Sequence, residues 1–262
     1  MPYALPQTED EFRALNARFA DVSLKERLQA LVELAPGRIV FTTSFGMEDQ
    51  AITHAIFSHA LPIEVVTLDT GRFFEETYSL WADTQKRYGK PIQPFYPNTG
   101  AVEALVKANG INGFYDSVEA RKACCHVRKV EPLNRALEGA SLWITGIRAA
   151  QNASRQTMTF LEHDSGRDLY KANPMLDWDQ ARLDDYVAEH GVAVNELHRR
   201  GFPSIGCQPC TRAIEPGEDP RAGRWWWEQT AGAGGECGLH VGPDGKLVRA
   251  RKPTAPSGTL VD

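Results

Sequence analysis

Short apolar segments rich in β-branched residues alternate with helical segments through the first half of the chain, and this alternation is the strongest constraint on the fold. Strands and helices that alternate in this way form a parallel sheet with helices on both faces. We therefore predict an α/β class, doubly wound parallel sheet. The predicted strands are Arg38–Thr43, Ile63–Leu68, Ile92–Tyr96 and Ser141–Thr145, with helices near Phe74–Tyr88 and Gly100–Asn109.

Two capping boxes mark helices before the first predicted strand. In Thr8-x-x-Glu11 and Ser23-x-x-Glu26, a hydroxyl and a carboxylate can satisfy the free backbone donors of a helix start. From about Glu215 onward the pattern changes to turn-forming and glycine-rich sequence, including Gly232–Gly235. The predicted organisation is N-terminal helices (1–36), an α/β domain (37–214) and a mobile C-terminal tail (215–262).

Composition narrows the class of partner. The chain has 262 residues and a net charge of -5, which argues against a nucleic-acid-binding protein held by a global positive field. No stretch approaches the roughly 18 consecutive apolar residues of a membrane helix. The N-terminal segment also lacks the basic and apolar regions of a signal peptide. We expect a cytoplasmic protein whose partner is a small molecule and which binds neither nucleic acid nor a membrane. The sequence leaves open whether the chain forms a homo-oligomer.

The 5 cysteines lie at three places, and four of them form two close pairs. In a reducing compartment such groups are more often metal ligands or redox-active thiols than disulfides. Four thiolates from two places suit a [4Fe-4S] cluster, because its irons can each take one ligand, even from adjacent residues. A single zinc ion fits less easily, since zinc ligands are usually spaced by about two to four residues, but it stays an alternative. The candidate ligands are Cys124, Cys125, Cys207 and Cys210.

Three loops at predicted strand ends carry anion-binding chemistry. In a parallel sheet, ligands bind at the carboxyl ends of the strands, where loops lead into helix N-termini. Hydroxyl and backbone N–H groups can cradle an anion, and guanidinium groups suit phosphate or sulfate oxygens. Each loop by itself can also be read as an ordinary capped connection. The candidate binding residues are Ser44, Gly46, Asp49, Leu68, Asp69, Thr70, Gly71, Gly146, Arg148 and Arg155.

Three cations outside these loops are further candidates. Lys129 lies one helical turn after Cys125, which places a positive charge near the thiolates. Arg221 and Arg224 precede the run Trp225-Trp226-Trp227 and suit either an anion pocket or surface salt bridges.

The fifth cysteine, Cys237, lies in glycine-rich sequence without apolar neighbours, which favours a reactive thiol over a packed structural one. His240 lies three positions later and is a candidate either to lower the thiol pKa or to contact a bound anion.

Several of these motifs occur together in one order and resemble the assimilatory adenylylsulfate reductases of bacteria and plants. The resemblance spans roughly residues 38 to 240. The motifs are Cys124-Cys125 followed by Arg128-Lys129, C-x-x-C-T-R from Cys207, G-E-D-x-R-A-G-R-W-W-W from Gly217, and E-C-G-L-H from Glu236.

This resemblance implies a Rossmann-like fold of the adenine nucleotide α-hydrolase type. It also implies thioredoxin-dependent reduction of adenosine 5′-phosphosulfate to sulfite and AMP, in sulfate assimilation leading to cysteine biosynthesis. Cys237 would be the nucleophile and form an S-sulfonate, while Ser44–Asp49 and Leu68–Gly71 would hold the nucleotide. The related phosphoadenylylsulfate reductases typically lack the four paired cysteines, so their presence favours the substrate without a 3′-phosphate. The implied contacts of the phosphosulfate are Gly146–Arg155, Lys129, Arg221, Arg224 and His240.

Two other functions are alternatives. A sulfur transferase such as a tRNA-thiolating protein would need an S-G-G-x-D-S loop, where this chain has Ser44-Phe-Gly46-Met-Glu-Asp49. A non-enzymatic iron–sulfur or zinc regulatory protein is disfavoured by the acidic balance and by the solitary Cys237. The chain also lacks the glycine motifs of dinucleotide-binding and P-loop proteins.

Overall fold

A six-stranded sheet forms the centre of the computed structural model, which describes residues 5–6, 8–20, 22–151 and 155–228. The strand order is β3-β2-β1-β4-β6-β5. Neighbouring strands are parallel except for the edge pair β5 and β6, which is antiparallel. The strands are β1 (Arg38–Thr43), β2 (Glu64–Leu68), β3 (Gln93–Phe95), β4 (Ala140–Ile144), β5 (Leu161–Asp164) and β6 (Leu169–Ala172).

Helices cover both faces of this sheet. Ile39 and Phe41 of β1 pack with apolar residues of α2, α3 and α8 on one face, while Val40 packs with Leu133 of α7 on the other. The helices are α1 (Glu9–Arg18), α2 (Leu24–Leu34), α3 (Met47–Ser58), α4 (Glu75–Tyr88), α5 (Thr99–Asn109), α6 (Val118–Cys125), α7 (Glu131–Ala136) and α8 (Gln180–Glu189), and a π-helical segment, His126–Val130, joins α6 to α7.

The predicted α/β class is confirmed, and the predicted strands and helices lie where the structure has them to within about two residues. The hairpin β5–β6 was not predicted. Glu162 and Lys171 face each other across it, both buried, with Nζ of Lys171 2.7 Å from a carboxylate oxygen of Glu162. Because this ion pair occupies buried positions that would otherwise be apolar, the two strands lack the alternation of apolar and polar residues that marks a half-buried strand.

The position of β1 determines where a ligand can bind. One neighbour, β2, is reached by a connection through α3, and the other, β4, is reached much later in the chain. The strand order therefore reverses at β1, and a ligand is expected to bind outside the carboxyl ends of the strands at this point. Among the described residues, no helix has the length and apolar character needed to cross a bilayer.

Both N-terminal capping boxes are present, and α2 is fixed to the sheet by Arg27. This side chain is 1% exposed and forms two hydrogen bonds to the carboxylate of Asp177. Its remaining donors bond to the backbone carbonyls of Ala20, Val22 and Pro174. One buried guanidinium thus joins the start of α2 to the segment that follows β6.

We expect Arg27→Ala to lower the free energy of unfolding by about 2 kcal/mol, because it removes a buried side chain and leaves the carbonyls of Ala20, Val22 and Pro174 without their donor, whereas the partly exposed carboxylate of Asp177 can bind water. Urea unfolding followed by circular dichroism measures the change. Arg13→Ala is the matched control, since Arg13 pairs with Asp10 on the surface at 75% side-chain exposure and should change stability by less than about 0.5 kcal/mol. Equal effects of the two substitutions would contradict the assigned role of Arg27.

Candidate active site

A cleft of about 600 Å³ opens at the crevice formed by the carboxyl ends of the strands. The loops after β1 and β4 form one wall, the end of β2 contributes Leu68, and the segments 203–206 and 220–225 close the other side. The predicted residues that line it are Ser44, Gly46, Asp49, Leu68, Lys129, Gly146, Arg148, Arg155, Arg221 and Arg224. The structure therefore brings together ten side chains or backbone positions that are far apart in the sequence.

The loop after β2 lies next to the cleft and borders the cysteines. Within the part of the chain that the structure describes, Asp69, Thr70 and Gly71 do not line the cleft. Oδ1 of Asp69 accepts hydrogen bonds from the Gly71 backbone N–H, at 2.8 Å, and the Tyr78 hydroxyl, at 2.9 Å. Oγ1 of Thr70 lies 3.2 Å from Sγ of Cys207, so this loop borders the cysteines. The predicted residues Cys237 and His240, like the Gly232–Gly235 hinge, lie outside the described residues.

The loop from Ser44 to Asp49 is closed by its own side chains. A carboxylate oxygen of Asp49 accepts hydrogen bonds from the backbone N–H of Ser44, at 2.6 Å, and from its hydroxyl, at 2.7 Å. Burial raises the pKa of Asp49 to about 7, although the hydrogen bonds from Ser44 act to lower it. A Cβ atom at Gly146 would lie 2.0 Å from Asp49 Oδ1, so only glycine lets the loops after β1 and β4 approach this closely.

Arg148 lines the cleft, but its guanidinium group is already engaged. Nη2 lies 2.7 Å from a carboxylate oxygen of Glu48, and the same nitrogen donates to the side-chain oxygen of Gln180 at 2.7 Å. Gln151 also donates to Glu48, at 2.9 Å. The Arg148 side chain is 6% exposed and holds the cleft wall in place at the start of α3. Most of its positive charge is balanced by the Glu48 carboxylate.

The opposite side of the cleft is formed by a short segment that packs on the domain. Thr211 and Arg224 form an isolated β-bridge, and Trp225 is 5% exposed. The guanidinium carbon of Arg224 lies 4.9 Å from the Trp225 ring centre, and Nη1 donates to the Ser204 hydroxyl at 3.2 Å. A Cβ atom at Gly206 would lie 2.3 Å from Arg224 Nη2. Arg224 is therefore held in one orientation beside the cleft. The boundary between the α/β domain and the C-terminal tail, predicted at residue 215, stays a prediction.

A second, smaller cavity lies beside the cleft and contains both cysteine pairs. Cys124 and Cys125 come from the end of α6, and Cys207 and Cys210 flank a single 3-10 turn. Burial, together with repulsion from the neighbouring sulfurs, raises the pKa of Cys210 to about 12. Burial also raises the pKa of Cys124. Lys129 lines this cavity as well as the cleft, so one cation lies between the two.

The four thiols line one cavity, and all four are free cysteines. Among the described residues, no group of three or more His, Cys, Asp or Glu side chains is placed to hold a single metal ion. A four-iron cluster takes each thiolate on a different iron, which suits ligands that come from two separate segments of the chain. The cavity also offers cations for anionic ligands and an apolar wall. These further lining residues are Arg72, Phe114, Arg121, Arg128, Lys129 and Pro209.

Arg121 connects the cysteines to the last described residue. Its guanidinium group forms a paired contact with the Glu228 carboxylate, with Nη2 and Oε2 3.1 Å apart, and the two side chains are 3% and 12% exposed. The group also lies 4.5 Å from the Trp225 ring centre and hydrogen-bonds to Cys125. In the sequence, Cys237 follows Glu228 by nine positions.

Sequence reasoning missed several residues of the cleft. Glu48 and Gln151 lie inside loops that were predicted to bind ligand, but nothing in their spacing distinguished them. His198 lines the cleft from a 3-10 helix, Glu196–Arg200. A lone histidine in Leu197-His-Arg-Arg-Gly201 carries no signal in a single sequence, because its position beside the cleft depends on how distant segments pack.

Comparisons with known proteins identify the family of this chain. The family model of the phosphoadenosine phosphosulfate reductase domain matches residues 38–213, which include the sheet and both cysteine pairs. A protein of Agrobacterium fabrum named adenosine 5′-phosphosulfate reductase is 54% identical over 228 residues, covering 87% of this chain and 86% of that protein. A protein of the same name from Sinorhizobium fredii is 54% identical over 233 residues, covering 89% and 92%.

A solved structure supports the fold. The phosphoadenylyl-sulfate reductase of Candida auris, in a phosphate complex, matches with a TM-score of 0.67 at 24% identity, covering 81% of this chain and 100% of that one. At this identity the likeness concerns the fold alone, and it confirms the predicted class. The relatives also confirm the resemblance inferred from the motifs. The chain therefore belongs to the phosphoadenosine phosphosulfate reductase domain family.

Proposed function

We propose that this chain reduces adenosine 5′-phosphosulfate to sulfite and AMP, the reaction class named for its two relatives. The observation that carries the proposal is the cleft at the strand ends, which shares Lys129 with a cavity lined by four cysteines. The cleft has the size of a nucleotide site, since ligand pockets commonly span about 300–1,000 Å³. A cytoplasmic location and a role in sulfate assimilation are part of this proposal.

The charges in the cleft suit a phosphosulfate group. Lys129 and Arg224 lie toward the cysteine cavity, because the charges of both act on Cys210. Arg221 lines the same side of the cleft. These cations lower the repulsion between an attacking thiolate and a substrate that is itself an anion. The nucleoside then extends toward Leu68 and the loop after β1, where the wall carries fewer unbalanced charges.

We further propose that Cys124, Cys125, Cys207 and Cys210 hold a [4Fe-4S] cluster. The donor set supports it, since four free thiols from two separate segments line one cavity. When bound, such a cluster supplies a polarisable, redox-capable centre of charge beside the cleft. Lys129 and Arg128 are placed to balance the thiolates, and Thr70 can donate a hydrogen bond to Cys207.

The proposed chemistry uses Cys237 as the nucleophile. Its thiolate attacks the sulfur of the sulfate group, the bond between that sulfur and the bridging phosphate oxygen breaks, and AMP leaves with the electron pair. A thioredoxin thiolate then attacks Cys237 Sγ, and sulfite leaves with the electrons of the S–S bond. The second thioredoxin thiol resolves the mixed disulfide, so the dithiol supplies two electrons. A hinge at Gly232–Gly235 would let Cys237 reach both the cleft and thioredoxin.

Sulfite release from the two sulfonucleotides, with reduced thioredoxin as donor, tests the proposal. We expect turnover of adenosine 5′-phosphosulfate to exceed that of its 3′-phosphorylated form by more than about tenfold, or ~1.4 kcal/mol in the transition state. The same protein without thioredoxin is the control and should release no sulfite. Equal or reversed rates would contradict the substrate assignment. Absence of sulfite from both substrates would favour a regulatory or sulfur-transfer protein.

A further inference from the structure

The three consecutive tryptophans of this chain differ in their exposure. Trp225 is 5% exposed and packs with Cys210, and Trp227 is half-buried against the same group of residues. Trp226, between them, is 42% exposed. The turn that contains the run therefore buries its first ring beside the cysteines and leaves the second at the surface.

The backbone that places Trp226 at the surface is strained and firmly held. Trp225 has a φ of 48°, in the left-handed region that residues with a side chain rarely adopt. The Glu228 backbone N–H donates to the Trp225 carbonyl at 2.9 Å, which closes the turn. Arg121 pairs with the Glu228 carboxylate and lies 4.5 Å from the Trp225 ring centre. Strain of this kind persists where the surroundings fix it, and it is concentrated at functional segments.

Trp226 belongs to a cluster of rings. Its ring centre lies 6.3 Å from that of Tyr115, which is 37% exposed, and 5.0 Å from that of Trp227. The Tyr115 and Trp227 centres are 4.4 Å apart. The Tyr115 hydroxyl donates to the Pro209 carbonyl at 2.6 Å, which fixes the ring to the turn of the second cysteine pair. We call Tyr115, Trp226 and Trp227 the aromatic patch.

Such a patch has the composition of a protein-binding surface. Tryptophan and tyrosine are enriched among the residues that contribute most to protein interfaces, and they act in clusters. Rings that already pack against one another lose little freedom when a partner binds. Within the described chain, neither Tyr115 nor Trp226 lines the nucleotide cleft, so a protein bound at the patch does not compete for that cleft.

The position of the patch in the chain indicates which protein binds there. Trp226 precedes Cys237 by eleven positions, and Glu228 precedes it by nine. Nine residues span at most roughly 30 Å in any conformation. A protein docked at the patch is therefore held within a short distance of Cys237. The proposed reaction needs one protein there, the dithiol donor whose thiolate attacks the Cys237 S-sulfonate.

We propose that the aromatic patch is the docking surface for the dithiol reductant, a protein of the thioredoxin type, with Trp226 as its anchor. This inference rests on the proposed function. The reductant must leave after each turnover, and a small apolar contact with one or two anchoring rings suits a transient complex. Trp226 is the most exposed of the three rings and so has the most surface to bury.

A comparison of two reductants tests the proposal. Sulfite formation is measured against the concentration of thioredoxin and, separately, of dithiothreitol, a small dithiol that needs no docking surface. Trp226→Ala removes the anchor, and Trp226→Phe keeps an aromatic ring. Tyr96→Ala is the matched control, since Tyr96 is 54% exposed and follows β3 at the edge of the sheet. AMP released without reductant measures formation of the S-sulfonate alone.

We expect Trp226→Ala to lower kcat/KM for thioredoxin about tenfold, through a higher KM, because an anchoring ring is lost. Its rate with dithiothreitol and its AMP release should stay within about twofold of the wild-type values, since neither depends on docking. Trp226→Phe should lose less than about threefold, and Tyr96→Ala should match the wild-type protein with both reductants.

An unchanged kcat/KM for thioredoxin in Trp226→Ala would overturn the inference. Equal losses with thioredoxin and dithiothreitol would also overturn it, because Trp226 would then support the fold or the S-sulfonate step. A changed oligomeric state of Trp226→Ala in size-exclusion chromatography would assign the patch to a second copy of the chain instead. If the wild-type protein forms no sulfite with either reductant, the proposed function itself fails.

Discussion

Cys237→Ser is expected to abolish turnover while leaving nucleotide affinity and protein colour unchanged. Cys237 is the one cysteine of this sequence outside the two pairs, and it follows a glycine-rich stretch. A serine hydroxyl is a poor nucleophile at neutral pH, whereas a thiol with a pKa of about 8.5 or lower supplies thiolate readily. The loss should therefore be complete, unlike the partial losses expected from changes in the cleft.

Mass spectrometry measures this directly. Incubating the wild-type protein with adenosine 5′-phosphosulfate and no thioredoxin should add one SO₃ group to the peptide that contains Cys237 and release one AMP. Reduced thioredoxin should then liberate sulfite. An adduct on Cys207 or Cys210, or substantial turnover by Cys237→Ser, would show that the nucleophile is assigned wrongly.

Cys210→Ser is expected to have the second largest effect, namely loss of bound iron. Cys210 is 9% exposed and packs with Phe114 and Trp225, so no water or surface side chain can readily replace its sulfur. Protein purified without oxygen should contain about four irons per chain and absorb visible light. Cys210→Ser should bind well below that amount, with loss of turnover, and the other three paired cysteines should behave alike.

Cys237→Ser is the matched control for this experiment, since it removes a thiol that belongs to neither cysteine pair and should keep its full iron. Metal analysis and visible absorbance are read on the same samples, so the result does not depend on activity. Stoichiometric zinc with no visible absorbance in the wild-type protein would contradict the cluster. Full iron retention in Cys210→Ser would remove this residue from the proposed ligands.

The sequence was sufficient for features that depend on short-range pattern. Strand β1 and the capping boxes of α1 and α2 follow from residues within a few positions of one another, and the structure has them where they were predicted. The α/β class follows from the same periodicity. The motifs around the cysteine pairs identified the family, because their spacing is itself a short-range property.

The role of individual side chains could not be obtained in the same way. Arg148 is predicted to contact an anion, and in the structure Glu48, 100 positions away, also binds its guanidinium group. Thr70 is predicted to lie in the nucleotide loop, and in the structure its hydroxyl lies beside Cys207, 137 positions away. Each outcome depends on which distant residue competes for the same group.

The sequence by itself therefore determined the α/β class, the strands β1 to β4 and the family, and it predicted candidate residues for the chemistry. Tertiary structure decided which of them share a cavity: Lys129 between the cleft and the cysteines, and Arg121 between Cys125 and Glu228. The physical reason is that periodicity and capping act within a few residues, whereas burial, charge pairing and hydrogen-bond satisfaction are settled by contacts between segments about a hundred positions apart.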